Sequence, residues 1–320
     1  MRAVRILVPD SLPDEALGTL PPEVELIRIG DGPIPAGAAD ARMAVLAGVM
    51  PHRLGEILAA APHLEVLQTV SAGVDWLVDR VPDGLTICNA SGVHDTPVAE
   101  WVVAAILAMT RRFPDLLDLQ RRGTWDRGIN SFVGGAGQDS PLWPIPDIEG
   151  ARVLVLGHGS IGRAVQARLE PFGATVTGVA RHARPGVHPM SEAHALAGEA
   201  EVVVVLLPLT DETDGVVDGA FLDAMRPGAL LVNAGRGRHV VTDDLIPRLR
   251  SGRVRAALDV TDPEPLPDGH PLWACPGLLI TPHVAGTTDG WYERAIRLAG
   301  DQIRRLAAGE PLVNVRAEGY

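Results

Sequence analysis

Residues 153–162 read VLVLGHGSIG, an apolar run of strand length that ends on Gly157, with Gly159 and Gly162 close behind. Glycine is placed after a buried strand either for a tight turn or for the close approach of something to the backbone. The six residues Gly157, His158, Gly159, Ser160, Ile161 and Gly162 fit G-x-G-x-x-G. They open a helical pattern (160–172) that leads into a second strand-like run, TVTGVA (175–180). In this setting the first glycine makes the turn, the second lets a pyrophosphate reach the backbone, and the third lets helix and strand pack closely. The amide groups at the helix start then face the phosphates. A dinucleotide site is the reading, and a purely structural turn is its alternative.

The rest of the chain has to agree with that strand–turn–helix unit, and it does. Strand-like runs at 5–9, 24–29, 43–48, 64–70 and 85–90 alternate with helical stretches at 13–20 and 54–61. A second alternating set has strand-like runs at 151–157, 175–180, 202–208, 229–235, 254–260 and 277–283. Its helical stretches lie at 160–172, 192–197, 221–225 and 243–251, with a last helix at 289–306. Strands in alternation with helices imply parallel sheets covered on both faces. A chain of 320 residues is long for one core, so two domains are expected. Between the two sets runs a helical pattern, 97–120, with Pro97 suited to its first turn and Asp95 or Thr96 to its cap. Its segment VVAAILAM is apolar on nearly every face, which predicts burial between layers or subunits. Residues 131–149, rich in Gly and Pro, read as an ordered arm.

Charge and composition narrow the partners. A net charge of -12 repels phosphates and anionic lipid, so neither nucleic acid nor membrane is an expected partner. The apolar stretch 101–109 is too short to cross a bilayer, and the N-terminal MRAVRILVPDSLPDEA lacks a signal-peptide pattern, so a cytoplasmic protein is expected. Cys88 and Cys275 read as two reduced, buried thiols, with no disulfide and no metal site. The chain has no lysine. That excludes a lysine Schiff base to pyridoxal phosphate and a Gly-Lys-Ser/Thr phosphate loop.

Four stretches carry chemistry at predicted strand ends, where ligands sit in open α/β sheets. The run 175–180 continues as Arg181, His182, Ala183 and Arg184, with no carboxylate to hold a ribose 2′-hydroxyl. Arg181 and Arg184 could pair with a 2′-phosphate and His182 could stack or donate, which favours NADP over NAD. In LLVNAGRGRHV, Arg236 stands between glycines and can clamp a carboxylate. LDVTDPEPLP offers Asp259, Asp262 and Glu264, and ITPHVAGTT offers His283. Reducing a 2-oxo acid needs a proton donor, a carboxylate clamp and a polarised ketone. His283 can give the proton, and Glu264 on its other nitrogen would stabilise the imidazolium. Trp76, His94, Trp143, Trp273 and Trp291 are candidates for the wall of a substrate pocket.

On these residues the sequence resembles the D-isomer-specific 2-hydroxyacid dehydrogenases. The carrying segments are VLGHGSIG, LPLTDETDGVVDGAFLDAMRPGALLVNAGRG, LDVTDPEPLPDGHPLW and ITPHVAGTT, and the likeness spans essentially the whole chain. The resemblance implies two doubly wound parallel-sheet α/β domains. A flavodoxin-like substrate-binding domain is formed by 1–95 plus 290–320, and a Rossmann dinucleotide-binding domain by 96–289. It implies hydride transfer between NADP (or NAD) and a 2-oxo or D-2-hydroxy acid, with Arg236, Glu264 and His283 as catalytic arginine, glutamate and histidine. Asp259 matches the aspartate that bonds the nicotinamide carboxamide, and Leu207, Pro208, Ala234 and Gly235 fall in coenzyme-binding segments. Ala72, Gly73 and Val74 match the loop whose amides hold the substrate carboxylate. The resemblance also implies a homodimer formed through the long helix and the following arm.

The chain departs from the pattern at Trp101, where the family often has histidine after Ala-Glu. Glu264 argues against a formate dehydrogenase, and a loop with Ala72 and no lysine argues against the phosphite branch. Two rivals stand beside the enzyme reading. One is a dinucleotide-sensing, corepressor-like regulator, which would not need all of Arg236, Glu264 and His283. The other is a methyltransferase with a similar glycine turn, which the missing acidic residue after 180 disfavours.

Overall fold

The computed structural model describes residues 3–48, 50–129, 140, 142 and 145–316. It divides into two units, Met1–Asp95 with Thr288–Tyr320, and Thr96–Thr287.

The first unit is built on five parallel strands, β1 (Val4–Pro9), β2 (Val24–Ile29), β3 (Ala41–Leu46), β4 (Val66–Thr69) and β5 (Thr86–Cys88), in the order β2-β1-β3-β4-β5. This is the flavodoxin-like order. Successive side chains of a strand point to opposite faces. Ile6, Val8, Met43 and Val45 therefore pack against Ile296, Ala299 and Ile303 of the C-terminal helix (Trp291–Ala308). Leu7, Ala44, Leu46 and Leu67 pack on the other side, against Leu54 and Ile57 of α1 (Leu54–Ala60) and Leu77 of α2 (Asp75–Val78). Strands buried on both faces carry the near-continuous apolar runs seen in the sequence.

The second unit holds seven parallel strands, β6 (Arg152–Leu156), β7 (Thr175–Ala180), β8 (Val187–Pro189), β9 (Val202–Val205), β10 (Ala229–Asn233), β11 (Val254–Leu258) and β12 (Leu278–Ile280). Their order, β12-β11-β10-β9-β6-β7-β8, is that of a Rossmann sheet extended by one strand. One face packs Val153, Val155, Val204 and Val232 against Val102 and Ile106 of α3 (Asp95–Thr110). The other packs Leu154, Leu156, Val203 and Leu231 against Phe221, Leu222, Leu245 and Leu249. These come from two helices numbered below. Helix α4 is Phe113–Arg121, α5 is Ser160–Leu169, α6 is Ala193–Ala197, α7 is Gly219–Ala224 and α8 is Thr242–Arg250.

Three local expectations change. The pattern at 97–120 is two helices, broken at Arg112, whose φ is 59°. Pro114 cannot sit in the interior of one continuous helix, because it lacks an N–H and its ring would meet the carbonyl four residues back. It is accommodated in the first turn of α4 instead. Arg255 Nη1 donates to Met109 O at 2.8 Å, satisfying a carbonyl where α3 ends. The stretch 13–20 contains a single 3-10 turn, Asp14–Leu17, closed by Gly18 at φ 73°. Strand β8 and helix α2 were not anticipated; both are too short to show a period. Among the described residues no helix is long and apolar enough to cross a membrane, and no group of three or more His, Cys, Asp or Glu could hold a metal ion.

Candidate active site

Parallel pairing puts the carboxyl ends of all seven strands of the second unit on one edge. The backbone continues the ladder past the strand ends: Leu206 N donates to Leu156 O (2.7 Å), Asp259 N to Asn233 O (3.0 Å), and Thr281 N to Leu258 O (2.9 Å). Every chemistry-bearing stretch of this unit therefore lies along that edge.

The glycine turn leaves β6 at its end. Gly157 has φ 99°, and a Cβ there would stand 2.6 Å from the Leu206 backbone. A Cβ on Gly162 would stand 2.6 Å from Gly157 O, whereas one on Gly159 would meet nothing within 4 Å. The turn, the open approach and the close packing thus fall to three different glycines. Ser160 begins α5, and Ile161 leans on the α3 side of the core.

His158 lies on the inner side of the turn. Its ring is buried between β7 and α5, with Nε2 2.6 Å from Gln166 Oε1, and it occupies the space a Cβ on Gly178 would need. Its peptide is engaged as well, His158 N donating to Val179 O at 3.0 Å and its carbonyl accepting from Arg184 Nη2. The Leu207 side chain is part of the buried core.

At the end of β7, Arg181, His182 and Arg184 are all exposed. Arg181 Nη2 pairs with Glu212 Oε1 at 2.9 Å. Arg184 Nη2 donates to His158 O, which ties this segment to the glycine turn. Pro208 is exposed after β9, while Ala234 and Gly235 lead out of β10.

Arg236 is half-buried, and its Nη1 donates to Gly235 O at 2.9 Å. Asn233 braces the turn before it, donating from Nδ2 to Arg236 O (2.8 Å) and accepting from Gly235 N at Oδ1 (3.0 Å). Glu264 and His283 are in direct contact, Glu264 Oε1 to His283 Nδ1 at 2.5 Å. A carboxylate can only accept, so the proton of the neutral ring sits on Nδ1 and Nε2 is the atom available to a substrate.

His283 has φ 53°, a left-handed conformation uncommon for a non-glycine residue. Asp259 accounts for it. The Asp259 carbonyl accepts His283 N (2.7 Å), Oδ1 accepts Thr281 Oγ1 (2.6 Å) and Val284 N (2.9 Å), and Oδ2 accepts Ala285 N (2.9 Å). Asp259 is buried and serves first to build the turn that presents His283. A carboxylate has about four lone-pair sites, which leaves Oδ2 one for a carboxamide.

In the first unit, the segment 71–74 follows β4. Three successive carbonyls accept side-chain donors: Ser71 O from Thr69 Oγ1 (2.7 Å), Ala72 O from Asn89 Nδ2 (2.9 Å) and Gly73 O from Ser71 Oγ (2.9 Å). The amides of Ala72, Gly73 and Val74 make no hydrogen bond among the described residues, which leaves three successive donors for a ligand.

Of the pocket-wall candidates, Trp76 packs on the core of the first unit. The His94 and Trp291 rings meet tilted at 5.4 Å, and His94 Nε2 lies 3.2 Å from Val70 O, just before the 71–74 segment. Trp273 is exposed in the second unit, and Trp143 lies outside the described residues. Asn89, Asn233 and Glu212 escaped the sequence reading. Asn233 was legible, because an Asn three residues before a loop arginine is a common local backbone acceptor and donor.

Comparison with known proteins agrees with this layout. Residues 103–285 match the family model described as "D-isomer specific 2-hydroxyacid dehydrogenase, NAD binding domain". The human glyoxylate reductase/hydroxypyruvate reductase is 31% identical over 301 residues, covering 88% of this chain and 87% of that protein. A D-isomer specific 2-hydroxyacid dehydrogenase of Xanthobacter autotrophicus, solved with NADPH and MES, superposes with a TM-score of 0.80 at 31% identity, covering 98% of each chain. An NADPH-dependent glyoxylate/hydroxypyruvate reductase of Sinorhizobium meliloti, solved with NADP and malonate, gives 0.74 at 27% identity, covering 98% of this chain and 97% of that one.

Proposed function

Because the chain belongs to the D-isomer specific 2-hydroxyacid dehydrogenase family, we propose that it reduces a small 2-oxo acid to the D-2-hydroxy acid with NADPH, NADH being the weaker coenzyme. Coenzyme fit is supported by the open space over Gly159 and by two arginines, with no carboxylate, in the segment just after β7. Gly157 to Gly162 would hold the pyrophosphate, Arg181 the 2′-phosphate, and the Pro208 and Ala234–Gly235 segments the nicotinamide half. When bound, the reduced nicotinamide supplies a hydride to the carbonyl carbon of the 2-oxo acid.

The chain's own residues do the rest. Arg236 binds the substrate carboxylate, and its guanidinium also polarises the ketone. His283 Nε2 gives its proton to the carbonyl oxygen. Glu264 on Nδ1 stabilises the imidazolium from which that proton leaves and keeps the ring in one orientation. In the oxidative direction the neutral ring takes the proton back. The observation that carries this reading is the 2.5 Å contact between His283 and Glu264 on a turn built for it by Asp259. A coenzyme sensor has no use for such a proton donor.

We assign coenzyme binding, with Arg236, Glu264 and His283, to the Thr96–Thr287 unit, and further substrate contacts to the other unit. A homodimer is supported by α4, which has no buried residue and presents Phe113 and Leu117, with Trp125 exposed just beyond it. The expected compartment is the cytoplasm.

The test is a panel of glyoxylate, hydroxypyruvate, pyruvate and phenylpyruvate, followed at 340 nm with NADPH and with NADH in parallel. Turnover should be seen with at least one acid and should fall about 10²- to 10⁴-fold in His283→Gln, with coenzyme affinity little changed. Absence of turnover across the panel, or undiminished turnover in the variant, overturns the reading.

A further inference from the structure

The loop after β10 carries a fully buried imidazole that the mechanism above leaves without a task. His239 ends a single 3-10 turn, Gly237–His239, for which Arg236 is the N-cap. Its Nδ1 accepts the Arg236 backbone N–H at 3.0 Å, and its Nε2 stands 3.3 Å from Pro208 O. A donor facing Nδ1 and a carbonyl facing Nε2 define one protonation state, the neutral ring with its proton on Nε2. The arrangement is the return half of a capping box, the side chain three residues after the cap accepting the cap N–H, with imidazole in place of the usual Glu or Gln.

The remaining contacts show how closely the Arg236 peptide is held. Its carbonyl accepts Asn233 Nδ2 at 2.8 Å and His239 N at 3.2 Å. On one side a Cβ at Gly235 would stand 3.0 Å from the His239 ring. On the other a Cβ at Gly237 would stand 1.9 Å from Thr261 O. Arg236 therefore rises from a backbone wedged between the segment after β9 and the segment after β11, and the imidazole supplies one wall of the wedge.

We propose that His239 is a positioning residue. It fixes the Arg236 backbone against the Pro208 segment, so that the guanidinium meets a substrate carboxylate already aimed. This rests on the assignment of Arg236 as carboxylate anchor. A bound acid held by a forked donor loses affinity and reactivity when the fork's base shifts by about an ångström.

The test exploits a conflict between shape and chemistry. His239→Leu keeps most of the buried volume and removes the acceptor, whereas His239→Asn is smaller but places Oδ1 where Nδ1 was. A positioning role predicts that Leu raises KM for the 2-oxo acid about tenfold or more, with kcat changing less. Asn should stay within about threefold of wild type. A packing role predicts the opposite ranking, and that ranking overturns the proposal, as does a wild-type KM in the Leu variant. Should Leu not fold, His239→Met serves in its place.

The dissociation constant of malonate from the NADPH complex, by calorimetry, gives a readout independent of turnover. If wild type reduces no 2-oxo acid, the reductase reading fails. Weaker malonate binding in Leu than in Asn then still supports the His239–Arg236 coupling, and equal binding overturns it.

Discussion

Coenzyme choice at Arg181 gives the sharpest quantitative test. The side chain is 52% exposed and pairs with Glu212, itself 65% exposed, at 2.9 Å. A 2′-phosphate must take the guanidinium from that carboxylate. An exposed ion pair is worth about 0.2–1 kcal/mol. A charge-assisted arginine–phosphate contact is worth about 1.5–3 kcal/mol, with the lower half of that range appropriate to so open a site. The difference is about 0.5–2 kcal/mol, or about 2- to 30-fold in affinity at about 1.4 kcal/mol per decade.

Arg181→Ala should therefore raise the NADPH dissociation constant by that factor and leave NADH within about twofold. Glu212→Gln should tighten NADPH by up to about fivefold, since it removes only the competitor. Both effects should shrink between about 0.05 and 0.5 M salt, because the groups lie in solvent. Arg184→Ala is the internal control. Its guanidinium donates to the His158 carbonyl of the glycine turn, so its loss should weaken NADPH and NADH alike. Titration of coenzyme fluorescence on the purified protein reads each of these constants. Equal loss of both coenzymes in Arg181→Ala, or loss of neither, refutes the assignment of the 2′-phosphate to this residue.

The glycines of the turn should separate binding from stability. Gly159→Val should leave the melting temperature of the coenzyme-free protein unchanged and weaken coenzyme binding more than about tenfold, because its Cβ enters open space meant for phosphate. Gly162→Ala, whose Cβ would stand 2.6 Å from Gly157 O, should cost about 1–3 kcal/mol in urea unfolding with no coenzyme present. Asp259→Asn replaces an acceptor of three hydrogen bonds with a group that also donates. Unfolding free energy should fall by about 1–3 kcal/mol and kcat should drop with it, since the His283 turn loses its brace. Burial pushes the Cys88 thiol up to about 11, against a weaker opposing hydrogen bond with Gln302. At about pH 8 only about one thiol in a thousand is then thiolate, so Cys88 should resist thiol reagents until urea unfolds the chain.

Much of this protein was legible before any coordinates, for a local reason. Strand and helix periods, the positive φ at Gly157 and the termination of each element are settled by residues within a few positions of one another. Buried parallel strands announce themselves as apolar runs, and the two-sheet α/β class follows from their alternation with helices. The same locality explains the family resemblance, whose motifs are strand ends and the turns after them.

Partnership between side chains is different, because it depends on which distant segments the fold lays side by side. Glu264 and His283 were expected to meet, but that expectation came from chemistry and resemblance and not from any local signal. Arg181 was foreseen as a phosphate reader, while its partner Glu212 comes from another loop entirely. The His158 ring reads as part of a ligand loop, yet Gly178 on the neighbouring strand leaves it a buried slot that exposed positions lack. Asp259 reads as a coenzyme contact, and only the packing of β11 against β12 reveals it as the builder of the His283 turn. Short-range sterics wrote the architecture into the residue order; long-range burial and hydrogen-bond satisfaction decided what each polar side chain touches.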